Sequence, residues 1–210
     1  MPPKGARVRL RCDYCKRPII TVGVEDYKKW IKAYVDRLEK ARLEGKIGTR
    51  RQTTKESDHS ISMAGTSAEL AACLILAPWS LADWMKRTES SKPNRGCDLP
   101  ASWLGGNRPV EVKYTAHRNG HLLIRPPRGT IGPMLAEYVN DSIYVLMTDD
   151  LRPDTYTAVG WVGRSDFLKH GNRKPVPVGE RQRDCWGVRA DRLNSMKFLF
   201  SLLPDEENAR

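Results

Sequence analysis

The chain reads as an α/β fold, with a central mixed β-sheet flanked by helices. Three observations predict it. Residues 25–44 place Tyr27, Trp30, Ile31, Tyr34, Leu38 and Ala41 at three- and four-residue spacing, the mark of a helix with one apolar face. Residues 109–115 alternate apolar and charged side chains, as a half-buried strand does. Residues 142–147 and 156–162 are nearly continuous in apolar residues, as interior strands are. Helices that alternate with such strands need a sheet to cover.

Taken in order, residues 1–20 are basic, with Lys4, Arg7, Arg9, Arg11, Lys16 and Arg17. They suit an extended arm or a short strand pair ending at Pro18-Ile19-Ile20. The 25–44 helix should stop at Gly45. Its stripe suits packing on the main domain, with a homodimer seam as the alternative. Residues 45–63 are polar and breaker-rich, and read as a basic loop. An apolar helix is expected over 66–76, running into Pro78, and a short one over 79–87. Residues 90–96 form a loop. A first core strand should cover 97–103, and Gly105-Gly106-Asn107 turns into the strand 109–115. Further strands are expected at 121–125, 142–147 and 156–162, with a short helix at 133–139 and a helical turn at 165–170. Residues 172–187 read as irregular, 188–203 as a last short strand or helix, and 205–210 as an acidic tail. The domain reading is a basic arm, helix and loop over 1–60, a core over 61–204, and the tail.

The chain has 210 residues, 40% of them hydrophobic, with six Trp, enough for a real core. No apolar run approaches a membrane span and the start lacks an apolar signal region, so a soluble, cytoplasmic protein without a membrane partner is expected. A net charge of +11 favours a polyanionic partner, nucleic acid first. Five cysteines without a secretion signal read as reduced thiols or metal ligands. Cys12-Asp13-Tyr14-Cys15 is half of a zinc site. Its other ligands would have to come from Cys97, Cys185, His59 or a second subunit. Two unligated thiols in a turn explain it equally.

The chemistry concentrates on Asp98 and on Glu111-Val112-Lys113. In a strand, Glu111 and Lys113 share one face, while Val110, Val112 and Tyr114 share the other. A sheet does not need a charged pair on one face to pack. A site that holds a divalent cation beside an amine does. Asp98 and Glu111 provide the hard carboxylate oxygens that Mg²⁺ prefers, if neighbouring strands set them side by side. The structural alternatives are a turn-capping aspartate beside Gly96 and an exposed Glu111/Lys113 ion pair.

The ordered set of Glu69 on an apolar helix, Asp98 on a strand, and Glu111-x-Lys113 on the next resembles the PD-(D/E)XK nuclease superfamily, the restriction-endonuclease-like and Holliday-junction-resolvase-like enzymes. The match spans roughly 65–124 and departs from the pattern at Cys97, where the family motif has Pro. The resemblance implies a restriction-endonuclease-like core with an N-terminal helical and basic extension. It implies an Mg²⁺-dependent endonuclease acting on DNA, with Mn²⁺ able to substitute. Asp98, Glu111 and the backbone carbonyl of Val112 would hold the metal, with Glu69 direct or through water. Lys113 would orient or deprotonate the attacking water and offset transition-state charge; beside two carboxylates it would stay protonated, which favours the electrostatic role over that of general base. For Glu69 a second reading stays open, because Thr66-Ser67-Ala68-Glu69 has the capping-box pattern of a helix start. Residues just after the lysine strand approach the phosphate in the family, which points to His117, Arg118 and His121. Arg50, Arg51 and Lys55 in the basic loop would lie along the DNA backbone. Trp161 and Trp186 suit either base stacking or the core.

Two functions of other classes compete. One is a non-catalytic nucleic-acid-binding protein using the same basic surface. The other is a zinc-containing regulatory factor defined by the Cys12/Cys15 arm.

Overall fold

The computed structural model describes residues 7–9, 19–45, 55–89, 98–104, 108–116, 120–124, 142–150, 152–163, 166–167, 177–178, 181–182 and 186–200. The expected helix at 133–139, the acidic tail, Arg50, Arg51, His117, Arg118, Cys12, Cys15, Cys97 and Cys185 lie outside the described residues.

The fold is mixed α/β. Its strands are β1 (Arg7–Arg9), β2 (Ile19–Gly23), β3 (Val110–Thr115), β4 (His121–Ile124), β5 (Ile143–Asp149), β6 (Thr155–Val162), β7 (Pro177–Val178), β8 (Arg181–Gln182) and β9 (Trp186–Arg189). Its helices are α1 (Lys28–Leu43), α2 (Lys55–Leu76), α3 (Leu81–Glu89) and α4 (Met196–Phe200). The main sheet runs β1-β2-β6-β5-β3. Only β3 and β5 pair in parallel, so the sheet is mixed. Of the two readings for the basic N-terminus, the strand pair is the one found: β1 pairs antiparallel with β2, and β2 continues onto β6.

One face of the sheet is covered by helices. Val110 and Val112 of β3, with Val145 and Met147 of β5, are buried there with Ile31 and Val35 of α1, Leu70 and Ile75 of α2, and Trp84 of α3. The apolar stripe of α1 is thus buried within the chain. The opposite face carries Tyr144 and Leu146 under the β4–β9 ribbon, with Leu122, Val188, Phe167 and Leu193. This second layer decides which way β3's charged side chains point.

Several expected boundaries are corrected. Helix α2 begins at Lys55, not after residue 63, and runs unbroken through Gly65. A Cβ at Gly65 would meet nothing within 4 Å, so no close approach in the helix requires a glycine there. Thr66 is therefore mid-helix, and the capping-box reading of Glu69 falls away because the helix does not start there. The strand expected over 97–103 shrinks to a single bridge, Leu99 to Val110, followed by a 3₁₀ turn, Ala101–Leu104. It ends at Pro100, where the chain enters that 3₁₀ turn and the Pro100 carbonyl accepts from Trp103 N–H at 3.0 Å. Strand β4 does not extend the main sheet. It pairs with β9, and the stretch expected to be irregular holds the β7–β8 pair. Gly45 ends α1 as expected, at φ +70°.

Helix α2 also contains an 18-residue window, His59–Leu76, with mean hydropathy 1.2, which meets the length and composition of a membrane span. That corrects the expectation that no stretch comes close. Ala68, Leu70, Ala71, Ala72, Cys73, Ile75 and Leu76 of this window are buried in the helix-side core.

Candidate metal and catalytic site

The site forms on the outer edge of β3, the last strand of the sheet among the described residues. In a parallel ladder, alternate residues of a strand turn their main-chain groups toward the partner. Ile143 N–H donates to Pro109 O at 2.8 Å, so the odd-numbered residues of this stretch face β5. Val110 and Val112 face outward. Val110 exchanges two hydrogen bonds with Leu99, at 2.8 and 3.0 Å. Asp98 immediately precedes this bridge, and its carboxylate lies close enough to Glu111 for the two charges to act on each other. Val112 N–H, next in line, donates to Asp98 Oδ2 at 2.7 Å. The carbonyl of Val112 lies along the same outward edge.

Glu111 and Lys113 share the ribbon-side face, as the strand period requires. Lys113 Nζ donates to Glu111 Oε2 at 3.2 Å. The side chains are 32% and 20% exposed, too enclosed for an ordinary surface pair. The parallel register sets Glu111 beside Tyr144, whose hydroxyl is pushed up to about 12 by burial and then by Glu111.

Glu69 approaches the same edge from α2, which packs on β3. It keeps some contact with solvent while its carboxyl is deeply enclosed. Its pKa is raised to about 8, by burial first and then by the charges of Asp98 and Glu111, against Lys113 and Arg87. Asp98 is raised to about 6 by burial and by Glu111, against Lys113, the Val112 N–H bond and Arg87. Each of the three carboxylates thus acts on another across a poorly solvated gap. Tyr34 of α1, pushed up to about 12 by burial and then by Glu69, closes the helix side.

The structure therefore brings Asp98, Glu111, Lys113 and Glu69 together. His121 sits on β4 opposite Arg189 and against Gly187, in the ribbon. Lys55 is the first residue of α2, and its side chain lies outside the described residues. Trp161 packs against the helix-side core and donates to Ser195 O at 3.1 Å, which favours the core reading over base stacking. His59, a potential zinc ligand, instead hydrogen-bonds Glu39 at 3.0 Å. Cys73 is buried, its thiol pushed up to about 12 by desolvation, which suits an inert core residue.

Sequence reasoning missed Arg87. It lies three residues after the buried Trp84, on the stripe of α3 that faces the core, and donates to Asp98 O at 3.0 Å. That i, i+3 spacing was the only signal for it.

The donor set fits a hard divalent cation. It offers two carboxylates and a main-chain oxygen, with Glu69 behind them. Among the described residues, no three His, Cys, Asp or Glu side chains converge as a ready-made metal cage. Comparisons with protein-family models, with curated proteins and with solved structures find no match.

Proposed function

We propose that this chain is a metal-dependent endonuclease that hydrolyses DNA phosphodiester bonds, with a core of the restriction-endonuclease-like kind. The observation that carries the reading is the gathering of Asp98, tied to Val112 N–H, within electrostatic reach of Glu111 at a sheet edge, with Lys113 bonded beside Glu111. Packing alone gives no reason to enclose like charges at the cost visible in the raised pKa values of Asp98 and Glu69. A cation bound between them removes that cost.

Asp98, Glu111 and the Val112 carbonyl would hold Mg²⁺ or Mn²⁺, with Glu69 reaching it directly or through water. When bound, such an ion activates water and stabilises charge on the phosphate. Lys113 orients the attacking water through its remaining N–H donors and offsets negative charge as the pentavalent arrangement forms. The net charge of +11 draws the polyanion to the protein.

The test incubates supercoiled, linear, single-stranded and four-way-junction DNA with the protein, with Mg²⁺ or with EDTA. Cleavage that needs Mg²⁺ and is lost in Glu111→Ala supports the reading. Retardation of DNA without nicking, under all conditions, favours the non-catalytic nucleic-acid-binding alternative.

A further inference from the structure

We propose that Arg87 is a positioning residue that straps the Asp98 turn at both ends; the inference rests on the reading of Asp98 and Glu111 as a cation site. The turn needs such a device. Among the described residues its ladder contact with β3 is one residue long, at Leu99, before the chain turns into the 3₁₀ segment Ala101–Leu104. Arg87 Nη1 donates to the carbonyl of Asp98 at 3.0 Å, and the same guanidinium lies 5.7 Å from the centroid of the Trp103 ring. One planar group therefore spans residue 98, where the turn enters, and residue 103, where it leaves.

Both supports of the strap are themselves fixed. Trp79 Nε1 donates to Trp103 O at 2.9 Å, which holds the far end against the start of α3. Thr88, next to Arg87, bonds back to Trp84 O and Met85 O at 3.0 and 2.7 Å, and its own carbonyl accepts from Arg37 at 3.4 Å. The last turn of α3 is thus anchored to α1. Arg87 transfers that rigidity to the residue whose carboxylate must face Glu111. Groups that orient a metal ligand from behind are typically worth about 10- to 100-fold in metal affinity.

Arg87→Met and Arg87→Lys separate this role from a purely electrostatic one. A positive charge near a cation site repels the cation, so an electrostatic role predicts that Arg87→Met tightens Mn²⁺ binding and that Arg87→Lys changes nothing. The strap predicts that both variants weaken Mn²⁺ binding by about 10- to 100-fold, because lysine cannot bond Asp98 O while lying flat on Trp103. The experiment titrates Mn²⁺ alone into each folded protein and follows hydrogen exchange at the Leu99 and Val112 amides. Faster exchange at both amides with weaker Mn²⁺ binding supports the strap. Unchanged exchange, or tighter binding in Arg87→Met, overturns it. If the wild-type protein takes up no Mn²⁺, the cation reading fails, while the exchange measurement still decides whether Arg87 holds the turn. Should Arg87→Met not fold, Arg87→Lys carries both measurements.

Discussion

Asp98 accepts from Val112 N–H at 2.7 Å, next to the point where Leu99 exchanges both of its main-chain hydrogen bonds with Val110. A single bridge sets the register, and the register holds Asp98 at the edge that carries Glu111 and Lys113. A slip of one residue would turn Asp98 to the opposite face of the sheet. The site thus depends on a contact far smaller than the sheet it borders.

Glu111→Ala and Lys113→Ala should each reduce DNA cleavage by at least about 10²-fold, because each removes one of the charged groups gathered at the β3 edge. The fold should persist, since both side chains keep part of their surface in solvent. Plasmid nicking rates, read beside circular dichroism, check this. Wild-type rates in either variant would remove these residues from the chemistry.

Glu69 should make the free protein less stable as pH rises. Its folded pKa of about 8 lies above the ordinary value of 4.5, so the folded state holds a proton that the unfolded state releases earlier. The stability it contributes is fully present below about pH 4.5 and is lost as pH rises through about 8. Glu69→Gln removes this dependence. In melting curves from pH 5 to 9, the variant should gain on the wild type steadily as pH rises. Parallel curves would show that Glu69 is not held protonated.

Cation binding should itself release protons. A metal takes the ionised carboxylates, while Asp98 titrates near 6 and Glu69 near 8. Mn²⁺ affinity should rise between pH 6 and 8, and calorimetry at pH 7 in buffers of different ionisation enthalpy should detect released protons. An affinity that does not change with pH would place the ion elsewhere.

Gly160→Ala should destabilise the fold by about 1–3 kcal/mol without touching the site. A Cβ there would come within 2.7 Å of Asn194 O and 2.8 Å of Leu193 Cβ, where the chain after β9 crosses β6. Thermal melts test this, with Mn²⁺ affinity of the folded variant expected to match the wild type.

The sequence exposed most of this architecture where side-chain period and burial agree. Alternation in 109–115 and continuous apolar residues in 142–147 and 156–162 placed β3, β5 and β6, and the facing of Glu111 and Lys113 followed from the strand period. What it hid depends on tertiary contact. The first turns of α2, Lys55-Glu56-Ser57-Asp58, carry no apolar stripe and precede Gly65, so they read as loop. The Thr66–Glu69 spacing imitates a cap that only a true helix start would use. The strand at Asp98 is one bridge long, below what any pattern detects. The pairing of β4 with β9 joins stretches far apart in the chain. Arg87 has no motif, and its role is visible only once α3 lies against the Asp98 turn.

The most direct test of the central claim is a crystal of the protein soaked in Mn²⁺ and measured at the manganese absorption edge. The account predicts an anomalous peak within coordination distance of both Asp98 and Glu111, absent in Asp98→Asn crystals. A well-ordered β3 edge with no peak there, or a peak coordinated by other residues, would contradict it.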